Sequence, residues 1–204
     1  MNSKKHYTIR RIEDDDKRAS IQKKMREDAK DGYRQMFLEM LEKDNDAGYC
    51  LASFTYHQKE DSKGQPMVAE KTISRAHRKL LDIVHCQFFG KDYQEKGIRL
   101  ACLPVRQQHN GQSGHVHSHM FLQIPDEMTD TPEHIQEFCD FVSNQAKTNR
   151  QIQGMRHDDY GQHDVRPVTG TPERCVEYLM RSINFDDGNN DIDVDNMETT
   201  PYHE

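Results

Sequence analysis

Apolar side chains recur every four positions at Ile21, Met25, Ala29, Tyr33, Phe37 and Leu41, inside a charge-rich stretch running from about Asp14 to Lys43. That period gathers them on one side of an amphipathic helix, with Gly32 a candidate break and Gly48 its end. The run Tyr49-Cys50-Leu51-Ala52-Ser53-Phe54-Thr55-Tyr56 predicts a strand, whereas His57 to Met67 is polar and reads as a loop. From about Glu70 to Phe89 the helical period returns, with Ile73, Ala76, Leu80, Leu81 and Val84 on one side and Gly90 as terminator. Ile98 to Val105 and His115 to Ile124 are β-rich runs, and the polar connector between them holds Asn110-Gly111, a strong hairpin signal. Thr131-Pro132-Glu133 has the form of a cap opening a helix to about Lys147. Asp164 to Val168 predicts a short strand, and Thr171-Pro172-Glu173 opens a last helix to about Ile183.

The order is a helix followed by β-α-β-β-α-β-α. It predicts an α+β fold in which helices pack mainly on one face of an antiparallel sheet. With 204 residues the chain is long enough for one domain with extensions and too short for a large multidomain enzyme. We divide it into an N-terminal amphipathic helical extension (1–48), a central domain (49–185) and an acidic tail (186–204). No internal repeat is visible, and the GxxxxGK[ST] phosphate loop is missing, which argues against a motor within this sequence.

Charge sharpens the third segment. Against 28 Lys and Arg stand 35 Asp and Glu, a net charge of −7 that at first argues against a nucleic-acid partner. Seven of those acids lie in residues 186–204, which hold no Lys or Arg, so residues 1–185 carry 28 of each sign. The body is neutral and the excess belongs to a tail whose Gly188, Asn189 and Asn190 and lack of periodicity predict disorder. Only 33% of residues are hydrophobic, and no apolar run approaches the roughly 18 residues of a membrane span. The start also lacks the apolar stretch of a signal peptide, so a soluble, intracellular protein is expected. Cys50, Cys86, Cys102, Cys139 and Cys175 are scattered without a CxxC pair and are expected to be reduced core residues.

The chemistry concentrates in His115-Val116-His117-Ser118-His119-Met120-Phe121-Leu122-Gln123-Ile124. In a strand, His115, His117 and His119 share one face, while Val116, Ser118, Met120 and Leu122 take the other. Two imidazoles at i and i+2 can share one ion, with His109 or Gln108 near the end of the neighbouring strand as a third ligand. No cysteine lies close enough in sequence for a thiolate zinc site, so an open imidazole site suits a catalytic divalent ion. The competing reading is a polar strand whose histidines are merely solvated.

Three segments in this order resemble the motifs of the HUH endonucleases, and among them the single-tyrosine replication initiators (Rep) of rolling-circle plasmids and circular single-stranded DNA viruses. Leu51-Ala52-Ser53-Phe54-Thr55-Tyr56 is similar to the first motif, an apolar strand ending in Thr-Tyr. His117-Ser118-His119-Met120-Phe121-Leu122-Gln123-Ile124 resembles the second, and Val176-Glu177-Tyr178-Leu179-Met180-Arg181 the third, a helix bearing Tyr-x-x-Lys. Two positions depart from the family pattern. Ser118 stands where a bulky apolar residue is usual, and Arg181 replaces the lysine, keeping its charge without ready proton exchange.

The resemblance implies an HUH/Rep, RRM-like domain, with Tyr178 as the nucleophile and Arg181 beside it. His117, His119 and His109 would hold Mn²⁺ or Mg²⁺, with His115 and Gln108 as runners-up for ligation. Tyr56, Arg106 and Arg166 are candidate DNA contacts. Single-stranded or hairpin origin DNA is the implied partner, with a host helicase for unwinding and no membrane. The compartment would be the cytoplasm of a bacterium or the nucleus of a eukaryotic host. A transposase or plasmid-mobilising relaxase shares this chemistry. A DNA-binding regulator that does not nick, and a histidine-rich metal-binding protein unrelated to nucleic acid, are the readings from other classes.

Overall fold

Strand β1, Tyr49–Thr55, alternates in burial along its length, and its two sets of side chains belong to two different cores. The computed structural model describes residues 3–42, 48–57, 59–60, 66–68, 70–107, 117–152, 154–155, 163–183, 192–200 and 202. Helix α1 spans Ser3–Glu42. After β1 come β2 (Lys59–Glu60), β3 (Pro66–Met67), α2 (Glu70–Phe89), β4 (Cys102–Gln107) and β5 (His117–Gln123). Next are α3 (Pro132–Thr148), β6 (Asp164–Pro167) and α4 (Pro172–Ser182), with short 3-10 turns at Asp126–Met128 and Val194–Asn196. The main sheet has the order β4-β5-β1-β6 with every pair antiparallel, and β2 and β3 form a separate two-stranded ribbon.

The predicted elements have local causes in the structure. Thr131 caps α3 by accepting a hydrogen bond from the His134 amide at 3.2 Å, and Pro132 sits in the first turn, where its missing N–H costs nothing. Gly90 follows α2 with φ +82°, a left-handed conformation that glycine adopts without a Cβ clash. Gly48 enters β1 where a Cβ would lie 2.9 Å from Thr129 Cγ2, so only glycine passes without displacing that side chain.

The helices cover both faces of the sheet, where the sequence pattern places them mainly on one. Cys50, Ala52 and Phe54 of β1 face α2 and α3, packing with Ile73, Leu80, Phe138 and Val142. Tyr49 and Leu51 face the other way, onto Phe37 and Leu41 of α1 and Val176, Leu179 and Met180 of α4. The alternation in β1 is apolar on both sides, which a sheet exposed on one face does not need.

Helix α1 runs through Gly32 without a break, and its last turns are core. Phe37, Leu38, Met40 and Leu41 are buried, whereas Ile21 and Met25 are 59% and 66% exposed. The four-residue period is therefore a core stripe only near its C-terminal end, and the boundary drawn at residue 48 cuts through a shared core.

The acidic tail also differs from expectation. Residues 192–200 lie along the outer edge of β4 through bridges Val105 to Ile192 and Cys102 to Glu198. Ile192 is fully buried, and Tyr202 exchanges hydrogen bonds with the Gln123 side chain at 2.7 and 2.8 Å. The acidic composition hid Ile192 as an apolar anchor. Among the cysteines, Cys86 is exposed rather than core, and all five are free. Among the described residues no helix is long and apolar enough to cross a membrane.

Candidate active site

The register of the sheet fixes what meets on the α1/α4 face. His119 of β5 is paired with Ser53 of β1 and Val105 of β4, and His117 with Thr55. One strand further out, Ser53 is paired with Asp164 of β6, so Asp164 shares this face. The histidine rings lie 5.1 Å apart, centroid to centroid, nearly perpendicular. This is the i, i+2 placement anticipated from the strand pattern.

Helix α4 completes the constellation. Its strong amphipathic pattern buries Val176, Leu179 and Met180 against the sheet. Tyr178 lies outside that stripe and is 45% exposed, and its ring comes to 5.2 Å from the His119 ring in an edge-on arrangement. Arg34 of α1 bonds Glu177 at 2.8 Å, tying α1 to α4 next to Tyr178.

His119 is 4% exposed, and burial, with the charge of His117 second, pushes its imidazole from 6.5 down to about 4. It is thus unprotonated at neutral pH, as a metal ligand must be. Its Nδ1 lies 2.9 Å from Ser53 Oγ, a contact that fixes the ring plane and directs Nε2 to any ligand, as outer-shell hydrogen bonds commonly do. Across from His117, Thr55 Oγ1 is buried with no hydrogen-bond partner among the described residues, a polar atom suited to a hydrated ion nearby. The donor chemistry fits a divalent cation, but two imidazoles do not complete a site. Among the described residues no group of three or more His, Cys, Asp or Glu is placed to hold one. His109, His115 and Gln108, the candidates for the remaining ligand, lie outside the described residues, as does the Asn110-Gly111 turn.

The candidate DNA contacts divide. Arg166 is on the site face of the edge strand, largely exposed, with its guanidinium 2.8 Å from Asp164. Arg106 pairs with Ser118 and therefore points to the opposite face. It is 8% exposed and donates to the Ile192 carbonyl at 3.1 Å. Tyr56 is 1% exposed and also lies away from the histidines, so neither residue offers a DNA-contacting surface here. Tyr56 closes the first motif, where a structural role or a place on a DNA-facing sheet is expected, and Arg106 is one of several candidate cations; strand alternation sends both inward. Arg181 lies within α4, and its side chain is outside the described residues.

Tyr56 belongs to a buried polar network that sequence reasoning missed. Its hydroxyl lies 2.6 Å from Ser118 Oγ and 2.9 Å from His77 Nε2, and Ser118 Oγ lies 2.8 Å from the same nitrogen. His77 Nδ1 is 2.7 Å from Asp193 Oδ2, and Ser74 Oγ and Asn196 Nδ2 also donate to the Asp193 carboxylate, each at 2.9 Å. Burial pushes the Tyr56 phenol well up. Burial would also raise Asp193, but the hydrogen bond and charge of His77, with Asn196 and Ser74, outweigh it and hold the carboxyl below its ordinary value. Ser118 thus enters a buried polar network from the middle of the His117-Ser118-His119 run.

Comparison with protein-family models, curated proteins and solved structures finds no match for this chain.

Proposed function

We propose that the chain is a metal-dependent, site-specific nickase and strand transferase for single-stranded DNA, which initiates rolling-circle replication through a 5′-phosphotyrosine at Tyr178. One observation carries this reading. A half-exposed tyrosine on a helix stands 5.2 Å, ring to ring, from the second histidine of an His-x-His strand in an antiparallel sheet. Nicking with retention of the phosphate ester needs those parts: a hydroxyl open to the strand, and ligands for an ion on the same face.

His117 and His119 would hold Mn²⁺ or Mg²⁺ together with His109, or with His115 or Gln108 in its place. A divalent ion there would withdraw charge from the oxygens of the scissile phosphate. Tyr178 Oη forms a bond to phosphorus as the bond from phosphorus to the 3′ oxygen breaks, and the phenolic proton is balanced by the one the 3′-hydroxyl gains. The covalent ester retains the phosphate for resealing or transfer to another 3′ end. Arg181, three residues along α4 and hence on a neighbouring position of the helix surface, would hold a phosphate without exchanging protons. Origin DNA, single-stranded or hairpin, is the partner, and a host helicase would supply unwinding.

The test is incubation of the full chain with labelled single-stranded candidate origins and Mn²⁺, followed by denaturing electrophoresis. The expected result is a denaturation-resistant protein–DNA adduct that Tyr178→Phe abolishes. Normal adduct formation by that variant would overturn the assignment.

A further inference from the structure

The α2/α3 face of β5 carries a polar constellation that the proposed chemistry does not use. Asp193, His77 and Ser118 are spaced like a nucleophilic triad, with contacts of 2.7 and 2.8 Å. Their exposures of 2%, 0% and 0% keep any substrate from Ser118 Oγ, so the arrangement holds rather than reacts. Its importance lies in what it joins. Ser118 is the residue between His117 and His119, whereas Asp193 belongs to the C-terminal segment on the outer edge of β4.

The geometry points to Asp193 and His77 as positioning residues: together they pin residues 192–200 to the sheet and, through Ser118, fix the strand that presents His117 and His119. The face they position is the site proposed above, so the inference deepens that reading.

The hydrogen-bond inventory gives the pin a direction. An ionised carboxylate only accepts, so His77 Nδ1 carries the proton toward Asp193. Nε2 of the same ring lies within hydrogen-bond distance of both the Tyr56 and the Ser118 hydroxyls, which also bond each other, so the network runs unbroken from Tyr56 and Ser118 through His77 to Asp193. Every link spans a large separation in sequence, so nothing local substitutes for a lost member. The segment has further ties: the Asp193 amide donates to the Pro104 carbonyl at 3.0 Å, and Arg106 reaches the Ile192 carbonyl. These ties grip β4, and Ser118 is the point at which the network grips β5. Loss of the carboxylate leaves the His77 N–H buried without its acceptor and removes the acceptor that half-buried Ser74 and Asn196 share, which favours release of the segment into water. His77 is then free to turn, and Ser118 loses the partner that holds it.

Amide hydrogen exchange on the full, metal-free chain reads this coupling without any nicking assay. Asp193→Ala should speed exchange by about tenfold or more in two separated places, residues 192–200 and β5 around Ser118, while α3 amides keep wild-type protection. Ser118→Ala, read from the other end, should loosen residues 192–200, which its hydroxyl reaches through His77 and Asp193, and it serves if Asp193→Ala does not fold. Mn²⁺ affinity of Ser118→Ala should also fall by about tenfold, as for loss of an outer-shell support. Faster exchange confined to the mutated element, or unchanged exchange in both, overturns the inference. A wild-type chain that forms no DNA adduct would remove the nickase reading and leave the exchange result standing.

Discussion

The two faces of β5 place three consecutive residues in opposite roles. His117 and His119 look toward α4, where Tyr178 is 45% exposed, and Ser118 looks toward α2, into a network that is almost wholly dry. Both faces hold histidine, a hydroxyl and a carboxylate, so composition does not separate them. Access at Tyr178 and His117 does: the Tyr178 ring is half-exposed and His117 half-buried, beside a His119 that is itself nearly buried, whereas the Ser118 network has its partners supplied by protein.

The comparison breaks first at the histidines. His119→Ala should reduce Mn²⁺-dependent adduct formation by about a hundredfold or more while lowering unfolding stability by only about 1–2 kcal/mol, the order of one lost hydrogen bond and a modest cavity. His77→Ala should invert that balance. It takes a buried partner from each of Asp193, Ser118 and Tyr56 and opens a cavity between them, and a stability loss of about 3–5 kcal/mol is expected in urea titration. Equal stability losses in the two variants would erase the distinction between the faces.

Acid sharpens the contrast next. His85 on α2 is 6% exposed and accepts the Leu100 amide at Nε2 at 3.0 Å. Burial pushes its pKa from 6.5 down to about 4, with a hydrogen bond to Leu81 only partly offsetting it. Between those values the unfolded chain binds more protons than the folded one, so stability is intact above pH 6.5 and falls as pH drops toward 4. The loss attributable to this ring is on the order of 3 kcal/mol at most. His85→Gln, which keeps an acceptor for Leu100, should flatten this limb of the unfolding free energy against pH. An unchanged slope would mean that His85 does not contribute to it. His119 shifts in the same direction, so the limb should flatten in part rather than vanish.

The smallest effect belongs to the surface. Arg34→Ala removes the half-exposed pair with Glu177 and should cost less than about 1 kcal/mol, an effect that salt should mask. A larger loss would show that α1 braces α4, and with it Tyr178, more firmly than the burial of Phe37 and Leu41 already does.

Much of this arrangement was legible wherever the signal was local. Helix α2 is found over Glu70–Phe89 as its apolar period indicates, and the Thr131-Pro132 cap opens α3. The alternation of β5 separates His117 and His119 from Ser118, whereas Tyr178 is singled out by the resemblance of α4 to a Tyr-x-x-Lys motif rather than by its apolar period. The short ribbon of β2 and β3 falls within the polar stretch 57–67 because two-residue strands carry no period. Tyr56, His77, Ser118 and Asp193 stayed hidden for a different reason. His77 reads as one polar position on a charged helix and Asp193 as one acid among seven, and their pairing spans 116 residues. The available hint was Ile192 and Val194 flanking Asp193, an apolar alternation inside an otherwise polar tail.

The proposed nicking chemistry belongs to the face of β5 shared with α4. The most direct measurement is mass spectrometry of protease fragments from the protein–DNA adduct formed with Mn²⁺, which locates the residue carrying the nucleotide. The account predicts a single modified peptide with a 5′-phosphate ester on Tyr178. Attachment at any other residue, or cleavage that leaves no covalent adduct, would contradict it.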